Sequence, residues 1–495
     1  MDSLRQPHHA PPRRPPVAWG PLCLIAAGLA ALLVPLAGTR EWFADELYLL
    51  AAGHHLSWGY ADQPVLMPLL ARIGEAVLGG ARIGVRLPAV LAAVVGVLIT
   101  GLIAQEFGGG RGAQALAATT YAISPQTVSG GSLLQTQSVD AVAWAVTTWL
   151  VVRWVRLRDG LSLLLIGLTG AVAVQAKYLI AVLWAACFLT VAVLGPREVL
   201  RRPALWAGAV VAVLSTLPYL AWQHRHGWPQ LRLVSAVREE TATTASGPLA
   251  FVPLSVLVAG VVAGAVLFSY GLWRLLRSAA LAPYRFLGWT CVVVLVVFLV
   301  SGGRYYYCAG LFPLCFAAGA VELLNRTAAT PRRAAVIGVV WPVSAVLSVL
   351  LVVLPHPLPG TSALTAPTVR GSAGWRELAD AVAHEHRTLP ARGTPLVTAH
   401  FWQASALDRY GRERGLPEAH SPHRGYWFFG PPPDTASALV VGVSEPLRAN
   451  CRSTRQLTTF RGELGYPGIN DQVPIWLCEG RIAPWQEVWP SLYEP

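Results

Sequence analysis

The chain has 495 residues, of which 54% are hydrophobic and only 13% charged, and its mean hydropathy is +0.48. An ordinary globular protein carries about 25% charged residues, so wholesale disorder and a water-soluble multidomain enzyme are both excluded for the chain as a whole. The net charge of +12 does not indicate nucleic acid, because no basic stretch is interleaved with stacking aromatics; in a chain with recurrent apolar runs of about 20 residues it points to basic cytoplasmic loops.

Taken in order, residues 1–16 are polar, proline-rich and basic at Arg5, Arg13 and Arg14, and read as a disordered cytoplasmic tail. The apolar run 17–36 has no convincing small-residue cleavage site after it and reads as an uncleaved first membrane helix. Further apolar spans are expected near 86–106, 112–124, 138–152, 160–176, 178–194, 204–222, 248–272, 284–302, 304–324 and 334–354, giving about eleven in a transmembrane domain over 17–354. Arginine alternates with them. Arg153, Arg156 and Arg158, then Arg197, Arg201 and Arg202, then Arg274, Arg277 and Arg285, then Arg332 and Arg333 fall in every second loop, which predicts a cytoplasmic N-terminus. Pro355, Pro357 and Pro359 then open a linker, and 355–495 alternates polar and apolar residues in the manner of an extracytoplasmic α/β domain. Within it the pattern predicts a helix over 375–386 and strands over 395–398 and 438–443. Five of the seven cysteines lie in apolar spans; Cys451 and Cys478 lie in the outer domain, where a disulfide is expected in an oxidising compartment.

Polar residues at the membrane edge carry the chemistry. The first outer loop, 39–85, contains Asp45 and Glu46, then Gly59, Tyr60, Ala61, Asp62, Gln63 and Pro64. Asp140 opens a later span. Lys177, the one lysine of the chain, lies between two spans; His224, Arg225 and His226 follow another, and Arg304 precedes Tyr305, Tyr306 and Tyr307. Each alone reads as an interfacial side chain, but by the expected topology all of them map to one face of the membrane, where ionisable residues are functional candidates. Cations at a lipid interface suit a phosphate-bearing lipid, and carboxylates beside them suit deprotonation of a hydroxyl or amine nucleophile. Together they describe displacement of a phosphate at a sugar carbon by a one-step, inverting route. A polytopic transporter or lipid flippase for envelope precursors is the alternative, although no internal repeat is visible.

These motifs resemble bacterial membrane glycosyltransferases of the GT-C type, family 39 and its relatives, which include protein O-mannosyltransferases and aminoarabinose transferases. The resemblance rests on the Asp-Glu pair, on Gly-Tyr-Ala-Asp-Gln-Pro over 59–64, on Ser138-Val139-Asp140 and on Ala176-Lys177-Tyr178. It extends to Trp222-Gln223-His224-Arg225-His226-Gly227-Trp228-Pro229, to Arg304-Tyr305-Tyr306-Tyr307 before Pro313, and to 404–410, 415–417 and 426–431 in the outer domain. It implies transfer from a polyprenyl-phosphate sugar to a lipid, polysaccharide or protein acceptor at the outer face of the plasma membrane. Asp45 becomes the catalytic carboxylate, with Glu46 beside it to hold the acceptor; Lys177, Arg304 and Arg225 become contacts for the donor phosphate; Asp62, Asp140, Tyr305 and Tyr306 line the substrate. Asp62 stands where aminoarabinose transferases carry a glutamate implicated in metal binding, so Asp62, His224 and His226 form a candidate set for a divalent ion. Gln63 departs from the lysine typical at the next position, which removes an expected phosphate contact.

Overall fold

The computed structural model describes residues 14–243, 248–326, 330–354, 368–389 and 393–495. The expected tail falls mainly, and the proline linker wholly, outside them. Among the described residues, six helices are long and apolar enough to cross a membrane, or seven if one bent pair counts as a single span. The membrane-embedded domain begins with α1 (Trp19–Thr39), whose buried positions Leu22, Ala26, Leu29 and Leu33 recur every three or four residues and pack on α4 (Arg82–Glu106). Between these two, the expected outer loop folds into two short helices, α2 (Ala44–His54) and α3 (Leu66–Val77). A second helical run follows, α5 (Arg111–Ala122), α6 (Pro125–Ser132), α7 (Thr136–Leu157), α8 (Gly160–Ala173) and α9 (Leu179–Leu194). Then come α10 (Pro203–Arg225) and α11 (Pro229–Thr243).

The expected single span at 248–272 is two helices, α12 (Pro248–Gly260) and α13 (Ala263–Arg277), which diverge by 112°. The break falls where Gly260 and Val261 both take positive φ, a conformation that interrupts the helical hydrogen-bond ladder. The domain closes with α14 (Arg285–Ser301), α15 (Phe312–Arg326) and α16 (Pro331–Val353). Helices α13 and α15 approach backbone to backbone, because a Cβ on Gly271 would overlap the Cys315 carbonyl. Small residues at such crossings let membrane helices gain van der Waals contact. At the end of this pair, Arg274 Nη2 donates to Glu322 Oε2 at 2.6 Å and Ser278 Oγ to Glu322 Oε1 at 2.9 Å, so the buried carboxylate is matched.

The outer domain holds a five-stranded sheet in the order β2-β1-β3-β5-β4, with β1 (Leu396–Thr398), β2 (Ala419–His420), β3 (Ser437–Val441), β4 (Cys451–Phe460) and β5 (Val473–Arg481). Strand β1 runs parallel to β2 and β3, and β5 antiparallel to β3 and β4. Two helices, α17 (Trp375–Thr388) and α18 (Phe401–Gly411), cover one face, so the expected helix and strands of this domain are present. Cys451 and Cys478, on neighbouring strands, form the expected disulfide with their Cα atoms 5.4 Å apart. One apolar core runs through both domains: Trp42, Leu47, Tyr48 and Met67 of the first loop pack with Trp375, Phe401, Leu407 and Tyr426 of the outer domain. The outer domain is thereby seated on α2 and α3, directly over the residues singled out in the sequence.

Candidate functional site

Helix α2 begins with two carboxylates that the fold uses differently. Both favour a helix N-terminus, where free backbone N–H groups carry partial positive charge. Glu46 turns into the protein and is wholly buried. Its oxygens accept from Arg86 Nε at 2.8 Å and Nη2 at 2.7 Å, from the Phe43 amide at 3.0 Å and from the Leu134 amide at 2.8 Å. Arg86, equally buried, spends its remaining donors on the carbonyls of Ala37, Arg40 and Glu41. This pair ties the end of α1, the start of α2 and the loop before α7 together. Where Glu46 was expected to hold an acceptor, the structure gives it framework partners: four hydrogen bonds occupy both of its oxygens, and the side chain is fully buried.

Asp45, one residue earlier, faces the other way. Its Oδ1 accepts from Trp402 Nε1 of the outer domain at 3.0 Å. Burial raises its carboxyl above the usual range, while the Trp402 hydrogen bond and then the charges of Arg304, Arg424 and Lys177 draw it back. Asp62 joins it from the following loop: Tyr48 Oη donates to Asp62 Oδ1 at 2.9 Å, and burial lifts this carboxyl to about 6, against the pull of Tyr48 and Arg424. The Trp402 indole thus orients Asp45 and opposes part of the rise that burial imposes. Replacing it in Trp402→Phe removes a hydrogen bond worth about 1.5–3 kcal/mol to a charged acceptor. The carboxylate form loses that support, so the acid limb of the kcat/KM profile is expected to move up by about one pH unit; an unmoved limb overturns this role for Trp402.

Asp140, near the start of α7, is 4% exposed and accepts from Trp144 Nε1 at 3.2 Å. The Lys177 ammonium lies 4.4 Å from the centre of the Tyr307 ring and within electrostatic reach of Asp140, Tyr306 and Arg304. Arg304 Nη1 donates to Tyr306 Oη at 3.2 Å. Tyr305 is directed elsewhere in part: its carbonyl accepts from Ser255 Oγ at 2.9 Å, and its ring meets Tyr306 edge-on at 5.3 Å. The structure accordingly brings together Asp45, Asp62, Asp140, Lys177, Arg304 and Tyr306, residues up to 261 positions apart in sequence, at the outer-domain end of the helical bundle.

Three expected residues do not join them. His224, Arg225 and His226 end α10 as exposed side chains. His226 Nδ1 lies 2.7 Å from the Trp222 carbonyl and its ring stacks on Trp222 at 4.1 Å. Among the described residues no three histidine, cysteine or carboxylate side chains gather as a metal set, Asp62, His224 and His226 included, and Arg225 lies exposed at the end of α10, apart from Lys177 and Arg304. The sequence reading in turn missed Trp402 and Arg424. Arg424 lies in a turn that presses on the first loop, where a Cβ on Gly425 would overlap the Tyr48 hydroxyl. It adopts φ +50°, a left-handed conformation uncommon outside glycine, and its guanidinium sits 5.0 Å from the Phe401 ring centre. Glu494 holds the turn from both sides, its carbonyl accepting from the Arg424 amide at 2.7 Å and its amide donating to the Pro422 carbonyl at 3.0 Å. Next to it His400 and His423 are half-buried and kept neutral, both pushed down first by desolvation and then by neighbouring charge, that of Arg424 included, His423 to about 3. The motif Tyr-Trp-Phe-Phe-Gly-Pro over 426–431 was the available signal for this turn.

A family model for dolichyl-phosphate-mannose-protein mannosyltransferases matches residues 62–222, about a third of the chain, from Asp62 through Asp140 and Lys177 to the end of α10. No curated protein matches by sequence. Among solved structures, the chain is similar to ArnT from Cupriavidus metallidurans in its apo state, with a TM-score of 0.61 at 15% identity over 97% of this chain and 100% of that one. The crystal structure of the same protein bound to undecaprenyl phosphate gives 0.59 at 15% identity over 96% and 99%. The oligosaccharyltransferase of Archaeoglobus fulgidus, tethered to an acceptor peptide, gives 0.50 at 12% identity over 78% of this chain and 63% of that one. The expected architecture, a polytopic helical membrane domain followed by a C-terminal α/β domain, is the architecture of this protein, and the chain shares the fold of the ArnT structures.

Proposed function

We propose, from this fold and this site, that the protein is an inverting glycosyltransferase. It moves a hexose or pentose from a polyprenyl-phosphate-linked donor to a lipid, polysaccharide or protein acceptor of the cell envelope. The observation that carries the reading is the meeting of two carboxylates made less acidic by burial, Asp45 and Asp62, with the cations Lys177, Arg304 and Arg424 at one end of a membrane-embedded bundle. A structure of the same fold is known with undecaprenyl phosphate bound, and the family model that matches is described by a dolichyl-phosphate-linked sugar. The N-terminus is cytoplasmic and the site lies at the outer face of the plasma membrane. The arginine alternation and a disulfide in the outer domain both support that orientation.

In the proposed reaction the acceptor hydroxyl or amine attacks the anomeric carbon from the Asp45 side. Asp45 takes the proton, the bond from the sugar carbon to the phosphate oxygen breaks, and the polyprenyl phosphate leaves with the electron pair. Lys177 and Arg304 take up the charge that develops on the leaving phosphate, and Tyr306 fixes the Arg304 guanidinium. Gln63 stands where the related transferases carry lysine; Arg424, reaching in from the outer domain, supplies positive charge on that side of the site instead. Removal of the ammonium in Lys177→Ala is expected to raise the apparent KM for the donor about tenfold or more, the worth of a lost charge-assisted contact. A donor KM that stays at the wild-type value overturns the phosphate role. The reading as a whole is tested by mass spectrometry of polyprenyl-phosphate sugars in cells carrying wild-type protein or Asp45→Asn: a lipid-linked sugar accumulates in the mutant alone, and its mass identifies the sugar. Unchanged lipid-linked sugars would bring the transporter or flippase alternative forward. That alternative draws no support from a polar cluster gathered at one end of the bundle rather than at its middle.

A further inference from the structure

Strands β4 and β5 are antiparallel neighbours. A hairpin loop commonly takes only about 2–5 residues, but the one between them runs over 461–472. The extra chain is pinned in place. Asn470 is fully buried; its Nδ2 donates to the carbonyls of Arg370 at 2.6 Å and Ala373 at 2.8 Å, and its Oδ1 accepts from the Tyr466 amide at 2.7 Å. Gln403 of α18, buried as well, donates through Nε2 to the carbonyls of Gly468 at 3.1 Å and Ile469 at 2.9 Å. The segment 370–373 is itself seated on the first loop, where a Cβ on Gly371 would overlap the Phe43 ring. Phe43 caps the start of α2, so a continuous set of contacts fixes the loop 461–472 against the helix that carries Asp45.

This loop delivers one side chain to the site. The Tyr466 ring lies 6.1 Å from the Trp402 ring, centre to centre, and Trp402 is the residue that donates to Asp45 at 3.0 Å. Tyr466 is also within electrostatic reach of both Asp45 and Arg304. Both aromatic side chains are half-buried and so keep accessible surface. In the proposed reaction Asp45 stands at the attacking end and Arg304 at the leaving phosphate, so a group in reach of both stands beside the sugar that passes between them. An aromatic ring suits the C–H face of a sugar, and a tyrosine adds a hydroxyl that can pair with a sugar hydroxyl. We infer that Tyr466, together with Trp402, forms the surface against which the transferred sugar lies, and that the loop 461–472 is the element that selects that sugar. Loops held on a rigid scaffold are where selectivity of this kind is commonly placed. The inference rests on the transferase reading and adds to it a sugar contact supplied by the outer domain.

The test compares two ligands on the purified full-length protein in detergent: the lipid-linked sugar isolated from Asp45→Asn cells, and the bare polyprenyl phosphate left when mild acid removes its sugar. Affinities are read from the concentration dependence of the unfolding temperature, which needs no turnover. Tyr466→Phe, which keeps the ring, should weaken binding of the sugar-bearing lipid several-fold, and Tyr466→Ala roughly tenfold. Both variants should bind the bare polyprenyl phosphate as the wild type does. An equal loss on the two lipids overturns the inference, since the loop then only supports the fold or the phosphate. Wild-type affinity for both lipids overturns it too, because Tyr466 then makes no contact with the donor sugar. Either result leaves the transferase reading standing. If no lipid-linked sugar accumulates in Asp45→Asn cells, that reading fails and the inference falls with it.

Discussion

Asp45→Asn is expected to lower sugar transfer by about 10³-fold while the protein stays folded in the membrane. General-base catalysis contributes about 10²–10⁴ to rate, and the amide that replaces the carboxylate keeps the size of the side chain and can still accept from Trp402 Nε1, 3.0 Å away in the wild type. The loss should fall on kcat more than on donor KM, because the proposed phosphate contacts are made by Lys177 and Arg304, which the substitution leaves in place. Burial raises the Asp45 carboxyl above its ordinary range and the Asp62 carboxyl to about 6. A base must be deprotonated to act, so wild-type activity is expected to fall as the pH drops through this region and to plateau above it. Purified Asp45→Asn assayed with a synthetic polyprenyl-phosphate sugar checks both points, and near-wild-type turnover would remove Asp45 from the reaction.

The second large effect is on stability. In Arg86→Met the Glu46 carboxylate stays in the core, between helices, with its cation gone. Breaking a buried pair in this way costs about 3–5 kcal/mol, because an uncompensated charge remains. The expected result is a sharp fall in the yield of folded protein and in unfolding temperature. Replacing both partners by apolar residues, Glu46→Leu with Arg86→Met, should recover part of the loss, though not the hydrogen bonds to the Phe43 and Leu134 amides. Glu46→Gln separates a framework role from a catalytic one. Whatever fraction folds should turn over at close to the wild-type rate per molecule; a fully folded, inactive Glu46→Gln protein would return Glu46 to the catalytic machinery.

The contrast between these neighbouring carboxylates shows where sequence reading stops. The pair Asp45-Glu46 is legible as a candidate, and so is its place at the edge of the first span. Which member faces substrate is not, since successive residues on a helix point about 100° apart and the dipeptide carries no record of the helix's rotation. That rotation is set by Arg86, 40 residues on, and by the apolar face that α2 gives to the outer domain. His224 and His226 are a second case of the same limit. Spacing brings them near each other, but the end of α10 turns them outward and stacks His226 on Trp222.

What the sequence determined by itself is whatever depends on local composition: the apolar helices of the membrane domain, the switch to an α/β pattern after the proline linker, and the helix and strands of that domain. Hydrophobic runs and their periods decide such features segment by segment, with no knowledge of what packs against them. The disulfide needed only two cysteines outside the apolar spans and an oxidising compartment, and the cluster of Asp45, Asp62, Asp140, Lys177 and Arg304 needed the further rule that polar residues at span ends share one face. The tertiary structure alone decided what depends on distant chain meeting distant chain. It bent α12 against α13, locked Glu46 to Arg86, and brought Trp402 to Asp45 across 357 positions together with Arg424 in its left-handed turn. A hydrogen bond over that separation exists only because the outer domain buries its apolar face on α2 and α3, and no local pattern in either segment encodes the other.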